Sequence, residues 1–239
     1  MEDEGVARAN ERRIGGSNIA TIIYLLTYCD STTLFDERID GLFSTAFKGN
    51  VYTDIGKASE TLIISSLDNV IAANYMRRVA SFPSPRGRTL VLGITPDAEL
   101  ADGTVIEIKT KCTKKHSNEP LTPAHALQVI TYMAMTNQNK GIILYYRPEP
   151  ELNGLCLLRE YDVELSPEDR YWFSYQLVYI LTTVMKLEEG ELIPQEIRNI
   201  ATILYYYRKL LKPRFSPLTK VFIDAWSQEL EDLYESAPF

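Results

Sequence analysis

A carboxylate and an ammonium recur two residues apart at Glu107-Ile108-Lys109, inside the run Val105-Ile106-Glu107-Ile108-Lys109. Side chains alternate faces along a strand, so Val105, Glu107 and Lys109 share one face while Ile106 and Ile108 point to the other. The charged pair then stands about 7 Å apart along the strand. Asp97 follows Pro96 only a short connection earlier, close enough in a hairpin to approach Glu107. Two carboxylates converging on one point make a hard-cation site, because Mg²⁺ takes oxygen ligands and keeps waters that chemistry can use. A lysine beside them could orient or deprotonate a bound water, or stabilise charge developing on a phosphate. Taken alone, Glu-x-Lys is also an ordinary pattern for a solvated strand face.

Two further segments bear on that choice. On a helix of about 100° per residue, Glu60 falls at the centre of the stripe formed by Ile63, Ile64, Leu67 and Ile71. A carboxylate there costs several kcal/mol unless it is paired, metal-bound or reachable by water. The competing explanation is a helix N-terminus, whose dipole favours Glu. Further on, His125, Gln128 and Tyr132 line one side of a helix and Leu127, Ile130 and Ala134 the other. That polar side is either solvated or turned toward the carboxylates.

The elements that must position these residues follow from periodicity and punctuation. An acidic start precedes a helix capped by Ser17 and carrying Ile19, Ile22, Ile23 and Leu26. A second helix is expected over residues 54–79, then a Pro- and Gly-marked loop with Arg86 and Arg88. Residues 89–95 and 104–110 read as strands joined through the turn signal Asp102-Gly103. Thr122-Pro123 opens a helix to about residue 136. Strand-like runs follow at 141–147 and 154–163, and the pattern is helical from Ser166 onward. The fold class expected is α/β (α+β), with a core over residues 1–165 and a helical extension over 166–239 packed on it. The extension is dense in aromatics (Tyr171, Trp172, Phe173, Tyr175, Tyr179, Tyr205-Tyr206-Tyr207, Trp226, Tyr234), which either pack it onto the core or form an interface.

The ordered set Gly56-x-x-x-Glu60, Pro96-Asp97, Glu107-x-Lys109 and Gln128-x-x-x-Tyr132 resembles the PD-(D/E)xK nuclease superfamily, in particular the branch of RecB-type nucleases and phage lambda exonuclease. The segment from Arg13 through Gly15-Gly16-Ser17 to Ala20 resembles the opening of YqaJ and lambda-type viral recombinase exonucleases, as does the stretch from Pro123 to Met133. The resemblance spans residues 12–150. It implies a restriction-endonuclease-like core, a mixed central sheet flanked by helices. It further implies that Asp97, Glu107 and the main-chain carbonyl of Ile108 hold Mg²⁺ or Mn²⁺, with Glu60 completing the site directly or through water. Lys109 would act on the attacking water and Gln128 would orient Lys109 or the substrate. Tyr132 would pack or contact phosphate, and Arg13 and Ser17 match positions that hold a DNA terminal phosphate. The activity implied is a metal-dependent deoxyribonuclease, a 5′→3′ exonuclease on duplex ends of the viral recombination kind. Lambda-type relatives also raise a ring homo-oligomer and a single-strand annealing or single-strand-binding partner protein. A structure-specific or single-strand endonuclease is the alternative of the same class, and a non-catalytic recombination adaptor the alternative of another.

Composition limits these readings. The 239 residues, 45% hydrophobic and 24% charged, exclude disordered, collagenous and membrane-spanning classes. Three scattered cysteines and a charged N-terminus without an apolar stretch are expected of an intracellular chain that does not associate with membrane. They are too few for an iron–sulfur cluster, and Cys112-x-x-x-His116 is too small a set for zinc. The net charge of −7 argues against a broad nucleic-acid surface. Resolved by segment it reads otherwise: between Arg77 and Lys115 stand eight Lys or Arg, among them Lys109, Lys111, Lys114 and Lys115, against four acids. Lys111, Lys114 and Lys115 are therefore candidate DNA contacts in one basic groove around the carboxylates.

Overall fold

The computed structural model describes residues 11–28, 50–75, 77–83, 89–112, 121–188, 190, 222–223 and 226–237. Among these, two sheets pack with helices. A three-stranded sheet has the order β1 (Glu11–Gly15), β4 (Thr89–Ile94), β3 (Arg77–Pro83), with β1 parallel and β3 antiparallel to β4. The larger sheet has the order β2 (Val70–Ala73), β5 (Ala98–Leu100), β6 (Val105–Thr110), β7 (Lys140–Glu149), β8 (Gly154–Glu164), β9 (Phe222–Ile223). Among the described residues, only β6 and β7 of that sheet pair in parallel, and its other pairings are antiparallel. The expected mixed α/β architecture, a central mixed sheet flanked by helices, is what the chain adopts.

Both faces of the large sheet are covered. On one, Val105, Ile143 and Val163 pack with Leu127, Val129 and Met133 of helix α3 (Pro123–Thr136), with α1 (Ile19–Tyr28), and with Phe173 and Leu177 of α4 (Pro167–Glu188). On the other, Ile106, Ile108 and Leu144 meet Ile55 and Ile63 of α2 (Val51–Ser66) and Leu230 of α5 (Gln228–Ser236). Neighbours in sequence such as Ile143 and Leu144 thus enter opposite cores, the period-two consequence of the pleat. This is why Gly141-Ile-Ile-Leu-Tyr-Tyr146 is an unbroken apolar run.

Helix α3 begins as its sequence predicts: Thr122 is the N-cap, its hydroxyl accepting the His125 N–H at 3.3 Å, with Pro123 in the first turn. It ends at Asn137, which takes the left-handed conformation at φ 62°. Because α3 connects the adjacent parallel strands β6 and β7, it must cross their shared face. Glu107 lies on that face.

Several elements differ from expectation. The helix expected over 54–79 starts earlier, at Val51, where Asn50 and Thr53 form a reciprocal capping box, and stops at Ser66. Asn69 at φ 60° turns the chain, and the β-branched pair Val70-Ile71 then opens β2. Ile71, assigned to the helical stripe, is exposed on that strand. Ser17 does not cap α1; it lies exposed within a 3-10 turn (Gly16–Asn18), whose N-terminal residue Gly15 makes no side-chain cap. Ahead of it, residues 11–15 form β1, a strand that the sequence reading did not include. The turn at Asp102-Gly103 is present, Gly103 at φ 84° supplying the conformation that side chains disfavour. Its first arm, however, is Ala98–Leu100; residues 89–94 belong to the other sheet. Pro96, which has no N–H to give a ladder, separates the two strands. Lastly, the region after Ser166 is not wholly helical, since Phe222–Ile223 pairs with β8.

The aromatics of that region divide. Phe173 is buried and Trp172 packs partly against the same core, whereas Tyr171, Tyr175 and Tyr179 form an exposed row at four-residue spacing on α4. Trp226 and Tyr234 meet at a tilt of 60°, ring centroids 6.1 Å apart, against the second core, and Tyr205-Tyr206-Tyr207 lie outside the described residues. Among the described residues, no helix is long and apolar enough to cross a membrane.

Candidate active site

The register of β5 against β6 pairs Ala98 with Ile106 and Glu99 with Val105, so one step further out Asp97 comes opposite Glu107. Strand β5 is too short to reach Ile108. The open N–H of Ile108 is taken instead by the Asp97 side chain, whose Oδ2 accepts it at 2.6 Å. The N–H and C=O of a strand residue project to the same edge, so the Ile108 carbonyl lies on the Asp97 side as well. The hairpin therefore brings together the three groups expected to act jointly.

Glu107 is 1% exposed. Its Oε1 forms an ion pair with Lys109 Nζ and accepts a hydrogen bond from Gln128 Nε2 at 2.7 Å. Its Oε2 is buried and has no hydrogen-bond partner among the described residues. An orphaned carboxylate oxygen is expensive inside a protein, and it marks a position where a cation or a water fits. Gln128 Nε2 donates its second proton to the Tyr132 hydroxyl at 2.7 Å. The polar side of α3 is thus turned onto the carboxylates and is not solvated; Gln128 and Tyr132 are both buried.

Electrostatics follow burial. Desolvation pushes the Asp97 carboxyl from 3.8 up to about 8, with the charges of Glu107 and Glu60 adding and the Ile108 N–H and Lys109 opposing. Burial likewise raises Glu107, against the charge and hydrogen bond of Lys109 and the bond from Gln128. Tyr132 is raised by burial and then by the charge of Glu107. Two carboxyls held above their ordinary range where β5 ends beside β6 form a centre that attracts positive charge.

Glu60, partly buried on α2, is within electrostatic reach of Asp97, Glu107 and Tyr132. Among the described residues, no three His, Cys, Asp or Glu side chains form a group able to hold a metal ion. The oxygen donors brought together here are the Asp97 and Glu107 carboxylates and the Ile108 carbonyl, a donor type that matches hard cations such as Mg²⁺.

The candidate substrate contacts are more dispersed. Arg13 is exposed on β1 and Ser17 is exposed on the turn that follows. Lys111 extends the strand face of Glu107 and Lys109, its Nζ 5.6 Å from the centroid of the Tyr145 ring. Lys114 and Lys115 lie outside the described residues, as do Arg86, Arg88 and His116. Tyr145 was not foreseen. It sits opposite Lys109 in the β6–β7 register, its hydroxyl 2.7 Å from His125 Nδ1, and its ring edge-on to Tyr161. The available signal was weak: in the expected strand 141–147, Tyr145 falls at period two from Ile143 and thus on the side of α3.

No protein-family model matches the sequence, and no curated protein matches it. Among solved structures, the chain is similar to that of SSO0001 (TM-score 0.41, 16% identity, covering 80% of this chain and 87% of that one). It is also similar to an alkaline exonuclease, LHK-Exo, from Laribacter hongkongensis (TM-score 0.44, 16% identity, 84% of this chain and 99% of that one). The same exonuclease in complex with dAMP gives a TM-score of 0.44 at 14% identity, with 82% and 96% covered.

Proposed function

We propose that the chain is a metal-dependent deoxyribonuclease acting as a 5′→3′ exonuclease on duplex DNA ends. The observation that carries this reading is the divided carboxylate of Glu107: one oxygen is fixed by Lys109 and Gln128, while the other is buried and has no hydrogen-bond partner among the described residues, in a carboxylate close enough to Asp97 to raise its pKa. Asp97, Glu107 and the Ile108 carbonyl would hold Mg²⁺ or Mn²⁺, and Glu60 would complete the site directly or through water. When bound, such a cation supplies an activated water and neutralises charge on the scissile phosphate.

The chain's own residues do the rest. The Ile108 N–H fixes the Asp97 carboxylate in one orientation, and Gln128 does the same for Glu107. Lys109, on the same face and partly exposed, orients the attacking water and offsets negative charge that develops on the phosphate oxygens. The cover provided by α3 keeps bulk water from Glu107, so each of these interactions acts at low dielectric. Arg13 and Ser17 would receive the terminal phosphate, and Lys111 the strand leading to the centre.

The deciding experiment is digestion of end-labelled linear duplex, single-stranded and closed circular DNA with and without Mg²⁺, with Glu107→Ala as control. Mg²⁺-dependent loss of linear duplex from its 5′ ends, with circles spared and Glu107→Ala inactive, is the expected result. Cleavage of circles would move the reading to an endonuclease, and absence of metal-dependent cleavage would remove it.

A further inference from the structure

Gly16 opens the 3-10 turn between β1 and α1 and is buried there. A Cβ at this position would lie 2.4 Å from Tyr132 Cε1, 3.0 Å from Cδ1 and 3.3 Å from Cζ. No real side chain approaches a ring so closely, so only glycine lets Tyr132 occupy its place. The ring in turn fixes where its hydroxyl stands. That hydroxyl accepts one proton of the Gln128 amide at 2.7 Å, and Glu107 Oε1 accepts from the same nitrogen at 2.7 Å. With both acceptors set, the amide plane is set, and with it the carboxylate that Gln128 holds. Van der Waals exclusion at residue 16 is thereby passed through one ring and one amide to residue 107.

We infer that Gly16 and Tyr132 are positioning residues for the reaction centre: the Gly15-Gly16-Ser17 turn sets the orientation of Glu107 through the Tyr132 ring and the Gln128 amide. The inference rests on the proposed reading of Glu107 as a catalytic carboxylate and adds a route by which substrate engagement reaches it. Arg13 and Ser17, the residues proposed to meet a DNA end, flank Gly16. A phosphate that draws on them bears on the same turn that holds Tyr132. Turnover on chain ends is then coupled to end engagement, and Tyr132 serves as a strut, without itself contacting phosphate.

The test uses the full chain with Gly16→Ala and Tyr132→Phe. The first readout is the Gln128 side-chain amide pair in a ¹H–¹⁵N spectrum, recorded without metal or DNA. Both variants are expected to shift it. The second readout is steady-state cleavage of linear duplex, where kcat is expected to fall about tenfold at unchanged KM, the scale typical of residues that orient a metal ligand. In a Tyr132→Leu background, which removes the ring edge, Gly16→Ala is expected to cause less than about a twofold further loss, because coupled sites are not additive. Unmoved Gln128 resonances in folded Gly16→Ala, or losses that simply multiply in the double variant, would overturn the inference. Should Gly16→Ala fail to fold, Tyr132→Phe decides by the same two readouts, unchanged values overturning it. If the wild-type chain shows no metal-dependent cleavage, the nuclease reading falls, while the amide shifts still decide whether the turn controls Gln128.

Discussion

Gln128 and Glu107, 21 residues apart in the chain, are joined by a buried 2.7 Å hydrogen bond from the amide nitrogen to Oε1. The bond exists because α3 crosses over the strands it connects, and it turns a carboxylate on a sheet face into an oriented one.

Gln128→Ala leaves Glu107 Oε1 with Lys109 as its remaining partner and strips the Tyr132 hydroxyl of its donor. Unsatisfied buried groups cost about 1–3 kcal/mol each, so a lower melting temperature is expected. Cleavage should fall about 10- to 100-fold, as it does when the group behind a metal ligand is lost. Thermal melts and initial rates on linear duplex DNA check both; wild-type rates would exclude Gln128 from the centre.

Glu107→Ala and Lys109→Ala should each reduce Mg²⁺-dependent cleavage by at least about 10²- to 10³-fold, with far-UV circular dichroism unchanged. They should differ in stability. Lys109→Ala strands a buried carboxylate and should cost about 2 kcal/mol, at the low end for a buried pair because Lys109 is partly solvated. Glu107→Ala removes the desolvated group itself, so its melting temperature should drop less. The reverse order would contradict the pairing.

Asp97 gives a pH dependence. Its carboxyl is raised from 3.8 to about 8 in the folded chain, so between those values the folded state keeps a proton that the unfolded state has released. The unfolded state then binds fewer protons, and metal-free stability falls as pH rises from about 4 to about 8. Glu107, raised in the same direction, adds to the slope. Melting curves at pH 5, 7 and 8.5 should show this decline, and Asp97→Asn should flatten it. Binding of Mg²⁺ should release protons and tighten across the same interval, which calorimetry in buffers of different ionisation enthalpy measures. A stability that rises through this window would show that Asp97 is ionised at neutral pH.

Lys111→Ala should weaken DNA binding and reduce the magnitude of the slope of log K against log salt by about one. Turnover of saturated enzyme should change little, because the Lys111 ammonium stands over the Tyr145 ring, whereas the ion pair with Glu107 is made by Lys109. Titrations at several salt concentrations distinguish this from a structural role, in which the slope would keep its wild-type value.

Much of the centre was legible because it rests on local rules. Alternation along a strand puts Glu107 and Lys109 on one face, Asp102-Gly103 folds the hairpin back, and Thr122-Pro123 sets the phase of α3 so that Gln128 and Tyr132 share a side. Strand β1 was not legible, since Glu11-Arg-Arg-Ile-Gly15 offers one large apolar residue and therefore no period. Its pairing is long-range, with Arg13 beside Val91 in a parallel register. The helix after Gly56 was read too long because Leu67, Val70 and Ile71 continue a helical period that the left-handed Asn69 breaks.

By itself the sequence determined which groups could do chemistry and which of them share a strand or helix face, because those relations depend on periods of 2 and 3.6 residues. Only the tertiary structure decided that the polar face of α3 lies on Glu107, that the Ile108 N–H holds Asp97, and that Gly16 makes room for Tyr132. These are contacts between elements far apart in the chain. They are fixed by the crossover between parallel strands, the shortness of β5 and the close packing of a turn against a ring.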